Sequence, residues 1–268
     1  MKKYKEYFGF KSEPFPMDLA VKKMLQLSTM VGVRDRMEYV LSNTGIMVLT
    51  GEVGSGKSTS IRWGLSHFHS SEVLVLHIVA GGGSVNEFYK QLCWSLDLDI
   101  RSASRGYLIK NFKETIRDII RTKKQKIFLV IDEANLLRAE VFAELHTITQ
   151  FEDNSESFLS ILLAGQAALL DKMTYRSSAP LRSRIISKCH LSAINREQME
   201  EYLTHHQKIA GLRKNIFTDS AITAIYQGSA GILRKANHLA KGGLIAAMAD
   251  DESSVNAEHI RIASTEIM

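Results

Sequence analysis

Gly51-Glu52-Val53-Gly54-Ser55-Gly56-Lys57-Ser58 satisfies the pattern G-x-x-x-x-G-K-[ST] at every fixed position. It follows Gly45-Ile46-Met47-Val48-Leu49-Thr50, a short apolar run that reads as a buried strand, and it runs into Ser58 to His67, which reads as a helix. Strand, glycine-rich loop and helix in that order make a phosphate-binding loop. The glycines let backbone N–H groups turn inward onto phosphate oxygens, and the helix start adds the positive end of its dipole. Residues Gly51, Glu52, Val53, Gly54, Ser55 and Gly56, with Thr59 beyond them, are therefore expected to surround ATP. Lys57 reaches the β- and γ-phosphates, and Ser58 offers its hydroxyl to Mg²⁺.

A metal at Ser58 also needs a carboxylate from the end of a neighbouring strand. Ile127-Phe128-Leu129-Val130-Ile131-Asp132-Glu133 supplies one: Asp132 is the metal-side carboxylate and Glu133 the candidate base for the attacking water. Gln166 follows the apolar run Leu159 to Ala164, where a polar side chain can sense the γ-phosphate or simply form a turn. Arg182 and Arg184, in Pro180-Leu181-Arg182-Ser183-Arg184-Ile185, precede the last strand-like run. An arginine there either reaches the γ-phosphate of a neighbouring subunit, with Arg184 preferred, or is an ion-paired surface residue. Arg234, in the helix opened by Gly231-Ile232-Leu233-Arg234, is placed to fold back over the nucleotide.

Outward from these motifs, strand-like runs alternate with helical ones: Val73 to Ile78, then Val85 to Leu96, Ile109 to Arg121 and Ala139 to Thr149. This alternation predicts an α/β fold with a parallel sheet buried on both faces. From about Asn195 the sequence reads as wholly helical, with helices over Arg196 to Ile209, Asp219 to Gln227, Gly231 to Ala249 and from near Asn256. The expected organisation is an arm over residues 1–30 packed on the ATPase body, a nucleotide-binding α/β domain over 31–194 and a helical lid over 195–268.

The 268 residues, 45% of them hydrophobic, are enough for one large core and a small satellite. Cys93 and Cys189 lack metal-type spacing and are expected as buried thiols. No apolar run approaches the roughly 18 residues of a membrane span, and the basic start Met1-Lys2-Lys3-Tyr4-Lys5 is not followed by an apolar stretch, so a cytoplasmic protein without a membrane partner is expected. A net charge of +5 raises the expectation of a polyanionic partner. Gly83 and Ser84 in the glycine loop, Arg101 and Arg105 in the stretch Arg101 to Tyr107, and Lys110 beyond it suit contact with the phosphates of such a polyanion without base readout. A solvated surface is the alternative there. Lys123-Lys124-Gln125-Lys126 reads as a solvated turn at the opposite edge of the sheet.

Taken in order, the GEVGSGKST loop, the LVIDEANLL strand, the LLAGQ element, the RSRI box and the GILRKANHLA helix resemble the AAA+ superfamily from about residue 30 to 268. The resemblance implies an AAA+ P-loop NTPase with a parallel sheet flanked by helices, a small C-terminal helical lid, Mg²⁺-dependent hydrolysis of ATP, and homo-oligomers in a ring or helical filament. Within that superfamily, Tyr7-Phe8-Gly9-Phe10-Lys11-Ser12-Glu13-Pro14-Phe15 and LLAGQAALLDKM look like the ExeA-type ATPases, which include secretion ATPases and ATPases of transposable elements. Secretion members carry a membrane span and a wall-binding region after the ATPase, whereas this sequence stops after the lid. The expectation is therefore the transposon-borne group, similar to the MuB and TnsC target selectors: an ATPase that oligomerises on double-stranded DNA with ATP, recruits a transposase and disassembles on hydrolysis. No separate amino-terminal DNA-binding domain is visible, so the DNA contact is expected from the ATPase body. The alternatives are an ExeA-type secretion or envelope-assembly ATPase and a slow nucleotide-dependent scaffold.

Overall fold

The computed structural model describes residues 4–149 and 159–266; residues 1–3 of the basic start lie outside it. In chain order its helices and strands are α1 (Tyr4–Phe8), α2 (Ser28–Asn43), β1 (Ile46–Gly51), α3 (Lys57–Leu65), β2 (Val73–Val79), α4 (Val85–Trp94), α5 (Arg105–Lys123), β3 (Lys126–Asp132) and α6 (Ala139–Ile148). They continue with β4 (Leu159–Gly165), α7 (Ala168–Thr174), α8 (Ala179–Arg182), β5 (Ile185–Leu191), α9 (Arg196–Ile209), α10 (Asp219–Ser229), α11 (Leu233–Ala249) and α12 (Ala257–Glu266).

The strands pair in the order β2-β3-β4-β1-β5, all parallel. Burial follows from that order. β1 and β4 are buried at every position and β3 at all but its first, as strands covered on both faces must be, whereas the edge strands β2 and β5 alternate with exposed positions. On one face Val48, Leu129 and Ile161 join a core with Phe112 of α5 and Phe142 of α6; on the other Leu49, Val130 and Leu162 pack with Met37 of α2 and Ile61 of α3. Cys93 is buried as expected, but Cys189 is only half-buried because it lies on the edge strand β5.

Helix starts follow their caps. Ser104 accepts the N–H of Tyr107 and starts α5 at Arg105, four residues before the sequence reading placed it. Thr218 caps α10 in the same way through Ala221 N–H.

The chain forms two compact units. One holds the sheet and its helices, from Ser28 to Gly51 and from Lys57 to Leu191; the other holds the residues up to Leu27, Glu52–Gly56 and those from Ser192 onward. The amino-terminal arm clusters with the helical unit. The cause is local: Lys11 N–H donates to Ala210 O at 2.8 Å, and His206 of α9 donates from Nδ1 to Pro14 O at 2.7 Å while its ring stacks on Phe15. Lys241 of α11 pairs with Glu13 at 3.0 Å.

Burial among Phe15, Tyr202 and the arm pushes the His206 imidazole down to about 4, against 6.5 in an unfolded chain. Above pH 6.5 the ring is neutral in both states. Between 6.5 and about 4 only the unfolded chain takes up the proton, so stability falls with pH across that window, by about 3 kcal/mol at its acidic end. Urea denaturation at pH 7.5 and 5.0 is expected to show a smaller acid loss for His206→Gln than for wild type; parallel losses contradict this assignment.

Candidate functional site

The parallel order sets Gly51, Gly165 and Asp132, the last residues of β1, β4 and β3, along one edge of the sheet. Lys57 is buried at the start of α3, and its Nζ donates to Gly51 O at 2.9 Å. Ser58 Oγ donates to Asp132 Oδ2 at 2.7 Å, and Glu133 N–H donates to Asp132 Oδ1 at 2.9 Å. Thr59 lies exposed beyond them. Both oxygens of a buried carboxylate are thus held, one of them by the hydroxyl that the sequence pairs with a metal.

β3 is not the direct neighbour of β1. β4 lies between them, so the two strands stand about 10 Å apart and Ser58, on the first turn of α3, closes the gap. The inserted strand brings Gln166 to the edge between Lys57 and Asp132 in strand order.

Glu133 has φ 52° and ψ 33°, a left-handed conformation that costs a non-glycine residue on the order of 1 kcal/mol. Such outliers persist where their surroundings fix them and are a feature of functional sites.

Asn135 escaped the sequence reading. Its Oδ1 accepts the N–H of Gln166 at 3.0 Å, and a Cβ on Gly165 would fall 2.4 Å from that same oxygen. One amide side chain after β3 therefore sets how β4 ends. The legible signal was an asparagine two residues after the acidic pair, but its partner is set by strand order, which no local pattern reveals.

Within the helical unit, the loop Glu52–Gly56 takes its shape from Gly54 and Gly56, at φ 82° and 98°. Arg234 N–H donates to Gly54 O at 3.1 Å, and a Cβ on Gly54 would stand 2.6 Å from Arg234 Cβ, so only glycine fits beneath the start of α11. Ser55 Oγ is buried with no hydrogen-bond partner among the described residues. An orphaned hydroxyl in a loop of inward-turned amides, with a buried lysine next in chain, fits a phosphate group. The Ser58 and Asp132 oxygens are the donor set that Mg²⁺ takes.

Arg182 and Arg184 lie at the other edge of the sheet. Ile46 N–H, at the start of β1, donates to Arg184 O at 3.0 Å, and β1 then runs about 17 Å to Gly51. Arg182 donates from Nη1 to Met173 O at 2.9 Å. Arg184 borders a small cavity with Thr44, Thr149 and Leu159.

Of the residues read as DNA contacts, Ser84 caps α4 reciprocally with Glu87, and Arg105 is ion-paired with Glu144. Arg101 and Lys110 make exposed pairs with Asp99 at 3.8 Å and Glu114 at 3.7 Å. Asn86 Nδ2 donates to Ala103 O at 3.4 Å, which draws the Arg101–Ser104 stretch to the glycine loop before α4. No helix among the described residues is long and apolar enough to cross a membrane.

The AAA domain family matches residues 39–173, half of the chain, from α2 through the phosphate loop and the Asp132 strand into α7. The chain belongs to the AAA domain family. An AAA domain is a nucleotide-binding fold, in keeping with the loop and carboxylate just described. General secretion pathway protein A of Aeromonas hydrophila is 25% identical over 266 residues, covering 98% of this chain and 48% of the relative, so the chain spans about half the length of that protein. Among solved structures, Cdc6p from Pyrobaculum aerophilum superposes with a TM-score of 0.75 at 17% identity, over 95% of this chain and 70% of that one. The Aeropyrum pernix ORC1 protein in complex with DNA gives 0.67 at 16%, over 91% and 67%. These likenesses establish the AAA+ architecture of parallel sheet, flanking helices and phosphate loop.

Asn135→Ala leaves the Gln166 N–H without its acceptor. The expected cost is about 1–2 kcal/mol of stability, read by urea denaturation, with ATP affinity little changed and turnover reduced. Wild-type stability and turnover together would remove Asn135 from the site.

Proposed function

We propose that the chain is a Mg²⁺-dependent ATPase whose nucleotide state controls its assembly on duplex DNA, acting as a regulator of transposition. The observation that carries the catalytic half is the Ser58–Asp132 contact of 2.7 Å, with Lys57 beside it in chain and buried. The loop amides and Lys57 bind and orient the β- and γ-phosphates; Ser58 and Asp132 hold the metal. Bound Mg²⁺ supplies counter-charge to the phosphate oxygens. Glu133 takes the proton of the water that attacks the γ-phosphorus, Gln166 orients that water, and ADP and phosphate leave. Arg184, or Arg182, reaches the γ-phosphate from a neighbouring copy, which ties hydrolysis to a ring or filament. Arg234, packed on Gly54, carries the state of the loop to the helical unit.

Support for DNA comes from the sheet edge. Gly81 and Gly82 have ordinary φ values, and a Cβ on either would meet nothing, so neither turn geometry nor internal packing requires glycine there. Close approach of an outside body is the remaining steric use. With Gly83, Ser84, Arg101 and Lys110 this edge suits a phosphate backbone, and the ORC1 neighbour was solved with DNA. The resemblance to transposon-borne ExeA-type ATPases adds the transposase. The second reading, an ATPase of a secretion or envelope assembly, is favoured by the Aeromonas relative's name.

Glu133→Gln is expected to keep ATP affinity within about threefold while slowing hydrolysis about 100-fold or more, and to prolong the ATP-bound assembly. Lys57→Ala is expected to lose both nucleotide binding and assembly. Phosphate release and light scattering with ATP read the two effects; an assembling Lys57→Ala protein, or wild-type turnover in Glu133→Gln, overturns the catalytic assignment.

A further inference from the structure

Between residues 105 and 126 the sequence holds eight basic residues and only Glu114 and Asp118 as acids. That excess of six exceeds the +5 of the whole chain, so the positive charge of the protein is concentrated on α5 and the turn after it. The helix orders most of it. At 3.6 residues per turn, Lys110, Lys113, Arg117 and Arg121 fall within an arc of about 80°. Leu108, Phe112 and Ile116, the buried residues of α5, occupy the opposite side.

Lys123, Lys124 and Lys126 follow in chain at the carboxyl end of α5, off the arc of the stripe. Lys126 pairs with Val73 at the first rung of β2 and β3, and Gln125 Nε2 donates to Ser70 O at 2.6 Å, which fixes the turn against the sheet. At the amino end of α5, Arg105 is ion-paired with Glu144 of α6, and the Asn86–Ala103 hydrogen bond joins the preceding loop to the start of α4. The lysine cluster, read from sequence as a solvated turn at the opposite edge of the sheet, follows α5 directly in chain and adds positive charge at that end. Nineteen residues of helix span about 28 Å, the length of roughly eight base pairs.

We infer that the outward face of α5, from Lys110 to Arg121 and on to Lys126, binds the phosphate backbone of duplex DNA. This rests on the reading of DNA as the partner and names a surface for it. The side chains of the stripe are cationic and carry no base-reading amide. The aromatics of α5 are turned inward, Phe112 fully and Tyr107 half-buried, so nothing offers the stacking platform that single strands use. The face has no exposed apolar residue to insert into a bilayer. A rigid row of charges about one helical turn apart instead suits regularly spaced phosphates, with affinity dominated by counterion release.

The test is fluorescence anisotropy of a 30-base-pair duplex with ATP from about 50 to 200 mM salt. It compares wild type, Lys110→Gln/Arg117→Gln/Arg121→Gln, and a control with the same charge loss in the helical unit, Lys208→Gln/Arg213→Gln/Lys214→Gln. The stripe variant is expected to bind at least about tenfold more weakly and to lower the slope of log K against log salt by about 2 to 3. The control is expected to keep the wild-type slope, all three proteins to bind ATP alike, and Lys110→Arg/Arg117→Lys/Arg121→Lys to restore the slope. Wild-type affinity and slope in the stripe variant, or equal losses in the control, overturn the stripe while leaving DNA as partner. No DNA binding by wild type overturns both, and transfer of the charge dependence to anionic vesicles alone assigns the stripe to a lipid surface and overturns it.

Discussion

The hydrogen bond from Ser58 to Asp132 is the contact on which the rest of the site depends. It joins the first turn of α3 to the end of β3 across the intervening strand β4. The same insertion delivers Gln166 to the reactive edge, and Asn135 fixes the end of β4 there. With one Asp132 oxygen on Ser58 and the other on the Glu133 amide, the carboxylate has a single orientation, and Glu133 is left in a left-handed turn. A buried carboxylate held on both oxygens, one of them by the residue that follows a buried lysine, is an arrangement that stability alone does not require.

The phosphate loop has a second allegiance. Its flanks, Gly51 and Lys57, cluster with the sheet, while Glu52–Gly56 cluster with the helical unit. Gly54 accepts from Arg234 N–H, so the chain itself links nucleotide-binding residues to α11. The amino-terminal arm belongs to the same unit through Pro14, Phe15 and Lys11.

The sequence was most informative where function demands a residue type at a fixed chain spacing. The GEVGSGKS loop and the acidic pair after Ile131 could be placed on strand ends because each motif is local and each flanking run is apolar throughout. What local pattern cannot carry is which strand lies beside which. That is why Asn135 was passed over. The start of α5 was missed for another reason: Ser104 is a good cap, but Gly106 two positions later weakened the helical pattern. Asp132, Glu133 and Lys57 were thus legible by chemistry, and their supports only by topology.

The most direct measurement is sedimentation of the purified protein with linear duplex DNA under ATP, ADP and no nucleotide. An account in which phosphate contacts at Lys57 and Ser58 govern assembly predicts co-sedimentation with ATP and its loss with ADP and without nucleotide. DNA left in the supernatant in every state, or pelleted equally in all three, would contradict it.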